Sequence, residues 1–164
     1  MAWDFSTDPE FQKTLDWIRE FVDEEILPIE AISGELDQDQ LDKLTAPLQE
    51  EVRRRNLWAA HLDPELGGQG MGQLKLGLMH EILGRTQEAP GVFGNQAPDS
   101  GNAELLAVGA NEEQKEKWLW PLLDGKLRSC FSMTEAPWAT AATAAPKPIV
   151  WSERPTSQLN SCRM

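Results

Sequence analysis

The sequence predicts an all-α domain that ends in one short strand and an irregular tail. Three patterns predict it. Phe11, Leu15, Ile18, Val22 and Ile26 recur at spacings of three and four, which lays one apolar stripe along a helix. Asn111 and Gln114 stand three apart at the head of Glu112-Glu113-Gln114-Lys115, the arrangement of a capping box. From residue 127 the period changes to two: Leu127, Ser129, Phe131 and Met133 fall on one face, and Arg128, Cys130, Ser132 and Thr134 on the other. That switch marks a strand.

The first helix opens at Asp8-Pro9, an N-cap followed by proline where its missing N–H costs nothing, and its stripe stops near Pro28. Across residues 37–55, Leu41, Leu44, Leu48 and Val52 keep helical spacing, while Pro47 is expected to kink or split the element. Arg53-Arg54-Arg55 at its end complements the macrodipole and needs no phosphate to explain it. The cluster Gly67-Gly68-Gln69-Gly70-Met71-Gly72 lacks the Lys-Ser/Thr of a phosphate loop and any strand before it, so it reads as a turn. In the helix that follows, Leu74, Leu78 and Ile82 line one face and Leu76, Met79 and Leu83 another, which predicts the most buried helix of the domain. Residues 90–102 read as a loop with at most a short helical start. Helix resumes over residues 103–108, with Gly109 placed to end it in the left-handed conformation. The capped helix from Asn111 then buries Trp118 with Leu122 and Leu119 with Leu123, and stops at Asp124-Gly125.

Composition excludes several classes of function. The chain has 164 residues, 40% of them apolar, enough for one domain plus a tail. Its net charge is -12, and residues 1–51 carry 15 acids against Lys13, Arg19 and Lys43, a surface that repels nucleic acid and anionic membranes. No apolar run is long enough to span a membrane, and the N-terminus has neither the basic nor the apolar region of an export signal, so a cytoplasmic protein is expected. Cys130 and Cys162 are too far apart in pattern to form a disulfide framework, which fits a reducing compartment. His61 and His80 lack the spacing of a metal site or catalytic dyad and read as structural. Glu112 and Glu113 are explained by the helix start they occupy.

Four segments, in order, resemble the acyl-CoA dehydrogenase family. Glu65-Leu66-Gly67-Gly68-Gln69-Gly70 is similar to the family's Glu-x-Gly-Gly-x-Gly. Ala110-Asn111-Glu112-Glu113-Gln114-Lys115 resembles its Glu-Gln-Lys helix start, and Pro121-Leu122-Leu123-Asp124-Gly125 its Pro-Leu-Leu-x-Gly. Phe131-Ser132-Met133-Thr134-Glu135 resembles the core of the first strand of the family's middle β-domain. The resemblance spans about residues 5–135 and implies an up-down helical bundle of the acyl-CoA dehydrogenase N-terminal type at 5–126, with the first strand of a middle β-domain at 127–135.

What it further implies is a FAD-dependent oxidation of acyl-CoA to trans-2-enoyl-CoA in fatty-acid metabolism, with Phe131, Met133 and Thr134 as flavin contacts. The family's catalytic glutamate lies in a C-terminal helical domain, and beyond Glu135 this sequence offers only Glu153. The family's Pro and Gly-x-Gly-Ser-Asp after the strand are also missing. Residues 136–164, rich in Ala, Pro, Thr and Ser, are expected to be poorly ordered. Trp138-Ala139-Thr140-Ala141-Ala142-Thr143, read from each codon's third base, is compatible with Gly-Asn-Gly-Ser-Asp, so a shifted reading frame and a genuine short form with its own tail both remain open. The expectation is therefore a truncated acyl-CoA dehydrogenase with no catalytic residue of its own and weak or absent FAD binding. The alternative is a non-catalytic helical interaction module that pairs with itself or with a full-length homologous subunit.

Overall fold

A computed structural model describes residues 6–66, 68–130 and 150–153. The chain is mainly helical, as the periodicity predicts, and divides into two compact units, Met1–Asn95 and Gln96–Met164.

In the first unit, α1 (Pro9–Phe21) begins as expected, with the Asp8 carboxylate accepting the amides of Glu10 and Phe11 at 3.1 and 3.0 Å. Phe11, Leu15, Ile18, Val22 and Ile26 are all buried. The helix does not stop near Pro28. It passes through a wide π turn, Val22–Ile26, and continues as α2, Leu27–Ser33. The physical reason lies in the proline ring, which would clash with the carbonyl four residues back, on Glu24. Widening the turn moves that carbonyl aside.

The second correction concerns α3, Gln38–Arg54, which runs unbroken through Pro47. Pro47 and Lys43, whose carbonyl loses its helical partner, are both exposed, so the break in the ladder falls on the open side of the helix. Asp37 and Gln40 close a capping box at its start. The buried stripe is rotated from the expected one: Thr45 and Val52 are buried while Leu44 is exposed. Thr45 tolerates this because its hydroxyl donates to the Leu41 carbonyl at 3.0 Å. Arg54 and Arg55 both pair with Glu51, whose carboxyl is held below its ordinary range by Arg55 first and Arg54 second. Arg53 stacks over Trp58 and Arg55 over Trp17, at 3.6 and 4.1 Å from the ring centres. The arginine run is thus occupied locally.

Helix α4, Gly72–Leu83, buries Leu76, Met79, Ile82 and Leu83, but Leu74 is 81% exposed, so only one of its two apolar faces is fully covered. A short α5, Ala89–Val92, follows. The core gathers Ile18, Ile26, Val52, Met79, Leu83 and Phe93, with Phe93 edge-on to Phe21 at 6.1 Å. Each such side chain contributes about 1.5–3 kcal/mol on burial.

In the second unit, α6 spans Asp99–Gly109 and begins four residues earlier than the composition suggested. Gly109 is not left-handed; the chain leaves the helix through Ala110 in an extended conformation, with ψ 147°, and reaches the next cap directly. There Asn111 accepts the Gln114 amide at 2.9 Å and Gln114 accepts the Asn111 amide at 3.0 Å, the expected capping box of α7, Glu112–Gln114. A second π turn, Lys115–Leu119, leads into α8, Trp120–Leu123, again with a proline, Pro121, two residues beyond the turn. Leu119 and Leu122 form the buried face, with Trp118 and Leu123 half-buried. Gly125 stops the helix at φ 75°, where a side chain would be strained.

Strand β1, Leu127–Cys130, follows, as the alternation predicts. Its partner was not foreseen. Val150–Glu153 forms β2 and pairs antiparallel with β1, Leu127 opposite Glu153 and Cys130 opposite Val150. Of the described helices, none is long and apolar enough to cross a membrane.

Candidate functional site

The second unit fastens β1 to the first turn of α6 through four side-chain hydrogen bonds. Asp99, the first residue of α6, carries its negative charge at the positive end of the helix. Its Oδ1 accepts the Ser129 amide at 2.8 Å and the Ser129 hydroxyl at 2.6 Å. Its Oδ2 accepts the Arg128 guanidinium at 3.0 Å. One turn on, Asn102 is fully buried and donates its amide to Ser129 Oγ at 2.8 Å. Asn102 Oδ1 is buried with no partner among the described residues. Charge-assisted bonds of this kind are about twice as strong as neutral ones, and their convergence on Ser129 fixes where β1 starts and which way it faces.

The clamp also fixes the ladder. In an antiparallel pair, successive residues point their N–H and C=O groups to opposite edges. Since the Ser129 N–H goes to Asp99, Ser129 and Trp151 form a non-hydrogen-bonded pair, and Arg128 with Ser152 and Cys130 with Val150 form the bonded ones. Thus β1 meets α6 along one edge and β2 along the other.

Sequence reasoning missed Asp99 and Asn102, because Pro98-Asp99-Ser100-Gly101-Asn102 has the composition of a loop. The available signal was an acid directly after proline at the start of an apolar helical run. The expected flavin contacts Phe131, Met133 and Thr134 lie outside the described residues. The strand's outward donors at Ser129, its N–H and hydroxyl, are both engaged by Asp99. Within the described part of β1, these Ser129 groups bind the protein itself.

The other candidates resolve into structure. Around the glycine turn, Gly68 N–H donates to Asp63 O at 3.2 Å and Gly70 N–H to Leu62 O at 2.8 Å, while the carbonyls of Leu62 and Ala59 crowd the Gly68 Cα. Such surroundings repel phosphate rather than cradle it. His61 Nδ1 bonds Asn95 Oδ1 at 2.8 Å, joining two loops of the first unit. His80 is exposed yet partly desolvated, and this, with the nearby His61, lowers its pKa. No cluster of metal-binding side chains occurs among the described residues. A groove of about 500 Å³ between α1 and α4 is floored by Leu15 and Ile82, and its arginines Arg19 and Arg85 are paired with Asp16 and Asp23.

The described chain is thus a set of helices with one strand clamped to the first turn of α6. Residues 8–126 match the family described as acyl-CoA dehydrogenase, N-terminal domain. The chain belongs to the acyl-CoA dehydrogenase family. It is 38% identical over 132 residues to acyl-CoA dehydrogenase family member 11 of Pongo abelii, covering 76% of this chain and 16% of that protein. To acyl-CoA dehydrogenase family member 10 of Mus musculus it is 33% identical over 136 residues, covering 77% of this chain and 13% of the relative. A solved structure of a putative acyl-CoA dehydrogenase from Mycobacterium abscessus superposes with a TM-score of 0.69 at 36% identity, over 82% of this chain and 36% of that one. The chain thus spans only a small part of the relatives it matches.

Proposed function

We propose that this chain supplies the helical N-terminal wall of an acyl-CoA dehydrogenase and that the 164-residue polypeptide does not dehydrogenate acyl-CoA by itself. The family uses FAD, which supplies hydride acceptance as acyl-CoA becomes trans-2-enoyl-CoA. The observation that carries the reading is the clamp of Asp99 and Asn102 on Ser129, which holds the strand that leads toward Phe131, Met133 and Thr134. The donors of that strand within the described residues hold the protein together, and the relatives are several times longer. The test is spectroscopic. Purified chain is expected to be colourless, and addition of an acyl-CoA is expected to produce no change. A yellow preparation that bleaches with acyl-CoA would overturn the reading.

A second reading, a non-catalytic module that pairs with a full-length homologous subunit, is favoured by one observation: Leu105 and Val108 on α6 are 58% and 91% exposed. Co-purification with an intact dehydrogenase, lost on changing Val108→Glu, would support it.

A further inference from the structure

We propose that β2 is an intramolecular cap on β1, and that its displacement would let β1 pair with the β1 of a second copy of this chain. The inference does not rest on flavin or substrate. A strand with an open edge presents unpaired N–H and C=O groups that template the addition of another strand. On the α6 side, β1 is closed at Ser129, because Asp99 accepts that residue's N–H at 2.8 Å and its hydroxyl at 2.6 Å. A carboxylate in this position also disfavours an incoming strand, whose carbonyl would have to replace it.

The opposite edge is the one that remains for pairing. The register of β1 against β2 places Arg128 and Cys130 in the bonded positions, so their N–H and C=O groups face Ser152 and Val150. Among the described residues of β1, Arg128 and Cys130 are the positions whose backbone groups face β2, and β2 covers both. A four-residue strand is also self-complementary when turned antiparallel about a two-fold axis, the symmetry of the commonest dimers. Vacating the edge therefore creates a surface that a second β1 fits, and β2 keeps that surface occupied within the monomer.

The register supplies its own control. Proline at residue 152 removes a ladder donor, the Ser152 N–H, whereas proline at residue 151 removes an N–H that points away from β1. Two variants of the full chain, Ser152→Pro and Trp151→Pro, are compared with the parent by amide hydrogen exchange at low concentration and by sedimentation across a concentration series. Ser152→Pro is expected to speed exchange at Arg128 and Cys130 by about tenfold or more and to increase self-association. Trp151→Pro is expected to match the parent in both readouts. Unchanged exchange or unchanged association in Ser152→Pro would overturn the proposal. So would equal behaviour of the two proline variants, since the effect would then follow from proline and not from the ladder.

Discussion

Asp99 and Ser129 meet twice, with one carboxylate oxygen accepting both the hydroxyl at 2.6 Å and the backbone amide at 2.8 Å of the same residue. The other oxygen takes the Arg128 guanidinium at 3.0 Å. Asp99→Ala would leave the Ser129 amide and hydroxyl without their acceptor in a largely buried place. Hydrogen bonds to charged groups are worth about 1.5–3 kcal/mol, so the variant is expected to lose about 2–3 kcal/mol in urea unfolding. Asp99→Asn keeps the shape without the charge and is expected to lose about half as much. Equal unfolding midpoints for parent and both variants would show that the anchor holds nothing.

Pro47 gives a prediction of the opposite sign. It sits in the interior of α3 on the exposed side, where Lys43 lacks its helical partner. Alanine is about 3 kcal/mol better than proline in a helix interior, and the looser unfolded chain takes back about 0.4–1 kcal/mol. Pro47→Ala is therefore expected to raise stability by about 2 kcal/mol, read as a higher urea midpoint. A lower midpoint would mean that the ring contributes packing that its exposure hides.

The same prolines show where the sequence was legible and where it was not. Caps could be read because they are local: Asp8, and Asn111 with Gln114, bond within three residues, and the structure reproduces each bond. The stripe from Phe11 to Ile26 could be read because every member faces one core. The steric rule concerns the proline ring alone, and so predicts a stop near Pro28 and a kink or split at Pro47. What the rule omits is where the released carbonyl points, and Glu24 and Lys43 are both exposed. The candidate site was half legible. The alternation found β1, yet Asp99 lies about a helix and a half upstream in sequence, and no local pattern links it to Ser129. β2 was hidden for the same reason, since pairing across a long separation leaves no periodic mark in a segment rich in Ala, Pro and Thr.

The glycine turn yields a third expectation. A Cβ added at Gly68 would fall within 2.6 Å of the Ala59 carbonyl oxygen and closer still to that of Leu62. Both are backbone atoms, which cannot turn away as a side chain could. Gly68→Ala is expected to destabilise the first unit by about 2–4 kcal/mol, in the range of other substitutions that force a backbone shift. Gly77→Ala is the control, because nothing lies within 4 Å of its added Cβ and alanine favours the helix by about 1 kcal/mol. The pair should move thermal unfolding in opposite directions; a parallel shift would contradict the packing described for the turn.

Glu88 links stability to pH. Burial raises its pKa above the ordinary 4.5, and the nearby Glu30 carboxylate adds to the rise. Glu30 also accepts the Gln87 amide at 3.1 Å. A carboxyl whose pKa is raised by folding binds its proton more tightly in the folded state than in the unfolded one. The contribution to stability is complete below pH 4.5, the unfolded value, and is lost as pH rises through the folded value. Glu88→Gln mimics the protonated side chain at every pH. It is expected to match the parent near pH 4 and to exceed it near pH 7, by less than about 1 kcal/mol because the group is still partly in water. Urea midpoints of the two proteins at both pH values check this, and a variant that gains stability equally at both would show that desolvation of Glu88 is not the cause.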